Sequence, residues 1–125
     1  MARATKCRTP PHARFLEKWI HLPAFKALNG NAMKLLICML ADYRPALQHN
    51  GKLEWSDARA GKAIGMSEAS GRRALADLED KGWIAVQRFG KFSRDKPTTY
   101  ALAMWPNDVT GEPATNAFLF WEMPN

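Results

Sequence analysis

Arg72 and Arg73 are the residues of this chain best equipped for specific chemistry. Each guanidinium is a rigid fork of N–H donors that fits a guanine edge or a phosphate with two parallel hydrogen bonds. They sit in the run Ser67-Glu68-Ala69-Ser70-Gly71-Arg72-Arg73-Ala74-Leu75-Ala76-Asp77-Leu78, in which Gly71, Ala74, Leu75 and Leu78 share one helical face. The outward face is left with Glu68, Ala69, Arg72, Arg73 and Ala76. Ser67 and Ser70 add hydroxyls, Ala69 adds a methyl, and Glu68 favours the positive end of the helix. A second group of cations, Lys91, Arg94 and Lys96 with Arg88 at its base, surrounds Phe92 in the segment from Gly90 to Pro97. Such a group suits phosphate contacts that do not depend on sequence.

Those cations also admit a plainer reading. Arginines on a helix that continues into Asp77, Glu79 and Asp80 can be a solvated face with ion pairs at helical spacing, Arg73 with Asp77 among them. Other chemistry finds little support. His12, His21 and His49 lack ligand spacing to one another and to Cys7 and Cys38, so no metal is expected. Gly61-Lys62 follows no phosphate-loop pattern, and neither a dinucleotide fingerprint nor a nucleophile elbow occurs. No cofactor and no enzymatic activity are expected.

The elements that must carry the arginines follow from periodicity. Phe15, Leu16, Trp19, Ile20 and Leu22 predict a short helical lead-in, and Pro23 interrupts it. A further turn runs from 24 to 28. Ala32, Leu35, Leu36, Met39, Leu40 and Tyr43 predict a helix with Asn31 as N-cap and Pro45 as stop. Met33, Ile37 and Cys38 make its other side apolar as well, so a second cover is expected. Residues 46–52 read as a polar loop and Leu53-Glu54-Trp55 as a short strand. Ser56 caps a helix to about Ile64, Gly65-Met66 turns sharply with Met66 in the corner, and Ser67 caps the next helix, which stops at Lys81-Gly82. The period then changes to two. Ile84 and Val86 oppose Trp83, Ala85, Gln87 and Phe89; Tyr100, Leu102 and Met104 oppose Thr99, Ala101, Ala103 and Trp105.

A chain of 125 residues with 46% hydrophobic content supports one core with flanking segments. Eighteen Lys and Arg against twelve Asp and Glu leave a net charge of +6, which suits a polyanion. The charge is uneven: residues 1–30 carry six cations and one anion, whereas residues 97–125 carry three anions and no cation. The two cysteines lie in segments of different character, an argument for a reducing compartment. Neither a signal-peptide run nor a membrane-length apolar run occurs, so a cytoplasmic, nucleoid-associated protein is expected.

The order helix, strand, helix, tight turn, helix, strand, basic loop, strand, with Ser67 to Ile84 at its centre, resembles the winged helix-turn-helix family of bacterial, plasmid and phage DNA-binding proteins. The resemblance covers residues 24–105, between a basic arm and lead-in (1–23) and a linker with an aromatic tail (106–125). It implies a mainly α fold with a small antiparallel sheet: a three-helix core plus a β-hairpin wing. It also implies that helix 67–81 reads the major groove of double-stranded DNA, with Arg72 and Arg73 for guanine or phosphate, Ser67 and Ser70 for phosphate, Ala69 for a thymine methyl and Glu68 for a cytosine amine or the helix dipole, while wing and arm hold phosphates. Gly71 departs from the family, which usually shows a β-branched residue there; either the backbones approach closely or the helix start is pliable. A regulator of transcription acting as a homodimer is the expectation. A replication or recombination accessory of a mobile genetic element, and a module docking a protein through its C-terminal tail, are the alternatives. Phe118, Leu119, Phe120, Trp121 and Met123 could strap over the sheet, cross a dimer or dock a partner.

Overall fold

The computed structural model describes residues 11–88 and 97–124. Four helices precede and flank a three-stranded antiparallel sheet. They are α1 (Pro23–Lys26), α2 (Gly30–Asp42), α3 (Asp57–Ala63) and α4 (Glu68–Asp80). The strands β1 (Leu53–Glu54), β2 (Ile84–Arg88) and β3 (Thr99–Leu102) lie in the order β1-β3-β2. The expected helical content and small sheet are therefore present.

The caps follow local chemistry. Asn29, rather than the expected Asn31, caps α2, its side chain accepting from the Ala32 N–H at 2.8 Å. Ser56 and Ser67 cap α3 and α4 by accepting from the amides of Arg59 and Ser70. The chain leaves α2 in extended conformation at Tyr43 and Arg44, as the residue before Pro45 requires. Gly82 ends the α4 segment with φ at +83°, a conformation that side chains oppose.

Leu35, Leu36 and Met39 of α2, Ala74, Leu75 and Leu78 of α4, and Leu53, Ile84 and Leu102 of the sheet form the buried centre. The second side of α2 is only partly covered: Cys38 is half-buried and Ile37 exposed. The 3-10 turn Glu17–His21 and the tail close one flank through five rings. Trp83 stacks on Phe118 with centroids 4.3 Å apart and planes 9° from parallel, while Trp19 meets both edge-on. Phe15 and Phe25 complete the group. The Trp83 indole N–H, fully buried, donates to the Ala24 carbonyl at 3.2 Å. Trp83 thus lies in the core, not on an open sheet face, because Phe118 and the lead-in cover it.

Asn50 holds the other end of the sheet. Its completely buried amide donates to the carbonyls of Leu102, Trp105 and Pro106 and accepts from the Leu102 N–H at 2.7 Å. A side chain so engaged substitutes for backbone pairing where β3 ends. The loop 46–52 is therefore anchored at its end.

Candidate nucleic-acid interface

Four residues, 64–67, separate α3 from α4, and Gly65 within them has φ at +74°. A short turn of this kind, with a glycine, joins the two helices of a helix-turn-helix unit. Ile64 fills the corner at 3% exposure; Met66 points outward at 49%. The exchange follows from the turn itself, since the positive φ at Gly65 redirects the chain and the Met66 N–H donates to the Gly61 carbonyl at 2.8 Å.

The two helices touch through glycine. A Cβ on Gly71 would lie 2.2 Å from the Gly61 nitrogen and 2.5 Å from the Asp57 carbonyl oxygen. A Cβ on Gly61 would lie 2.3 Å from the Ser67 carbonyl oxygen. Of the two explanations for Gly71, close approach of backbones is the one found. The Gly–Gly crossing sets α4 rigidly on α3 and determines which side chains of the two helices become neighbours.

Arg72, Arg73, Glu68 and Ala76 are exposed on α4, as the helical spacing requires, and Ala69 is half-exposed. Arg72 Nε donates to Asp57 Oδ2 at 3.2 Å, joining the two helices. Arg73 Nη2 donates to Ser70 Oγ at 3.3 Å. The pair of Arg73 with Asp77 that the plainer reading offers does not form; Asp77 pairs with Lys81 one turn on, the favourable acid-before-base order. Ser70 is turned inward at 9% exposure, and its hydroxyl receives hydrogen bonds from Ser67 and Arg73. Ser67 is thus exposed at the surface, whereas Ser70 is not. Arg88 is exposed and donates to the Pro97 carbonyl at 2.8 Å across the base of the hairpin. Lys91, Arg94 and Lys96 lie outside the described residues.

Charge along α4 is polar. Its amino-terminal half presents the two arginines, while Glu79 and Asp80 are exposed at its carboxyl-terminal end. The amino-terminal half also carries the exposed Glu68, and the helix dipole is positive at that end. Lys62, exposed at the end of α3, adds a cation that sequence reasoning did not single out. The same holds for Asp57: its role towards Arg72 had no local signal, because the two residues are neighbours only through the glycine crossing.

Arg59 is a cation of a different sort. Its guanidinium lies 3.8 Å from the centre of the Trp55 ring, meets Asp42 at 3.4 Å and donates to the Glu54 carbonyl. Trp55 Nε1 donates to the same Asp42 carboxylate at 3.1 Å. This cluster fastens α3 to α2 and β1 and consumes the charge. Beneath α3 and α4, burial pushes the Tyr100 phenol up to about 12, and the charges of Glu79 and Asp57 add to the shift.

A cleft of about 280 Å³ includes Arg14, Tyr43, Arg44 and Trp105 in its lining. It lies beyond the end of β3 that points away from the hairpin, so it is separate from α4. Among the described residues, no group of three or more His, Cys, Asp or Glu is placed to hold a metal ion, and no helix is long and apolar enough to cross a membrane. No protein-family model, no curated protein and no solved structure matches this chain.

Proposed function

We propose that the chain is a winged helix-turn-helix protein that binds double-stranded DNA in a sequence-specific manner and so acts in regulation. In this reading the amino-terminal half of α4 enters the major groove, Arg72 and Arg73 meet bases and phosphates, and the β2–β3 hairpin is the wing. The observation that carries the reading is the outward, cationic amino-terminal half of α4, fixed on α3 by the Gly61–Gly71 crossing after a four-residue glycine turn. The sheet order β1-β3-β2, with a hairpin following the helix pair, supports the wing. Lys91, Arg94 and Lys96 enter the proposal from the sequence alone, as phosphate contacts.

Selection of the purified protein against a random duplex library, at low and moderate salt, tests the proposal. The expected result is an enriched motif that persists as salt rises, because base contacts retain discrimination when phosphate attraction is screened. Two inverted half-sites in that motif would establish a homodimer on DNA. Binding that vanishes with salt and selects no motif would overturn base readout. One observation favours a second reading, docking of a protein partner: Phe120 is 76% exposed and Met123 59% exposed at the end of the tail. Replacing both with Ser would abolish partner capture in that case and leave DNA binding unchanged.

A further inference from the structure

We propose that Asp57 is a positioning residue that makes Arg72 a reader of guanine, so that one guanine of the bound site is selected by the pair and not by Arg72 alone. The inference rests on the DNA reading above and deepens it. An arginine has five N–H donors, and guanine takes two of them at once on N7 and O6. Asp57 Oδ2 engages Arg72 through Nε, at 3.2 Å. Among the described residues no hydrogen bond engages either Nη atom of Arg72, so the outer edge of the fork remains for the base. A long arginine side chain loses rotamer freedom when it docks; one already tethered by a carboxylate loses less and docks in fewer orientations.

The tether is built into the backbone. A Cβ on Gly71 would stand 2.5 Å from the Asp57 carbonyl, so the residue before Arg72 and Asp57 itself are in contact at main-chain level. Asp57 is in turn held at the start of α3 by the Ser56 cap. Among the described residues, Arg73, one residue on, has only the neutral Ser70 hydroxyl as its partner. The two arginines are thus given different work: Arg72 discriminates and Arg73 attracts. The ion pair is half-exposed, with side-chain exposures of 59% for Arg72 and 41% for Asp57. Such a pair adds little to stability, so its removal reports on recognition and not on folding.

The test uses the full chain and the duplex that selection yields, together with duplexes in which each guanine is replaced in turn. Wild-type protein is expected to lose about tenfold in affinity when the guanine facing Arg72 is replaced. Asp57→Asn is expected to reduce that discrimination to about twofold while leaving the other positions untouched, and Asp57→Asn/Arg72→Ala should be no worse than Arg72→Ala. Arg72→Lys, which keeps the charge but not the fork, is expected to lose discrimination at the same guanine as Arg72→Ala does. Thermal melting of each variant close to wild type confirms that folding is intact. Discrimination that survives Asp57→Asn, or an equal tightening on every duplex from removal of a repelling carboxylate, overturns the positioning role while the DNA reading stands. A wild-type protein that selects no motif removes both.

Discussion

Tyr100 shows how a single side chain registers the packing around it. It is 7% exposed beneath α3 and α4, and burial with the nearby charges of Glu79 and Asp57 raises its phenol from 10 to about 12. The folded state therefore holds this proton more tightly than the unfolded chain. The resulting stability is complete below pH 10 and is lost as pH rises from 10 to about 12. Tyr100→Phe should flatten the dependence of unfolding free energy on pH in that window; curves of equal slope for variant and wild type would refute the assignment. Other residues carry comparable information that composition hides. Asn50 looks like turn chemistry beside Gly51, yet its amide terminates β3. Arg59 looks like a surface cation, yet Trp55 and Asp42 hold it.

At the level of elements, the α3–α4 crossing is decided by two glycines. In an ordinary helix interior, Gly→Ala stabilises by about 1 kcal/mol. Gly71→Ala should do the opposite, because the new Cβ would lie 2.2 Å from the Gly61 nitrogen, a main-chain atom that cannot rotate away. A loss of about 3 kcal/mol is expected, seen as a fall of roughly 10 °C in Tm. DNA affinity should fall with it, since separating the helices moves Arg72 from Asp57. A neutral or stabilised Gly71→Ala protein would mean that the helices cross less closely.

Taken whole, the molecule is wider than its helix pair and sheet. The lead-in supplies Trp19 and the tail supplies Phe118, at 4% and 1% exposure, to the same core as Trp83. Gly82 must stay small where the tail passes, for a Cβ there would be 2.8 Å from the Ala117 carbonyl carbon. Lys81 secures the strap further by lying 5.2 Å from the centre of the Trp121 ring. Phe118→Ala should destabilise by about 3 to 4 kcal/mol, measured by urea unfolding, through a cavity against Trp83. A loss under about 1 kcal/mol would show that the tail merely rests on the surface.

Local physics made much of this protein legible in sequence. The serine caps at 56 and 67, the stop at Gly82 and the change of period after it located α3, α4 and the hairpin, since each signal acts within a few residues of where it is written. The outward placement of Arg72 and Arg73 followed from helical spacing alone. Tertiary structure decided the rest, because it depends on residues far apart in the chain. Ser70 turned inward at the helix contact, Met66 yielded the corner to Ile64, Asp77 chose Lys81 over Arg73, and Phe118 rather than solvent covered Trp83. The approach of Asp57 to Arg72 belongs to the same class: no periodicity within one helix encodes it, and it exists because two glycines let two backbones meet.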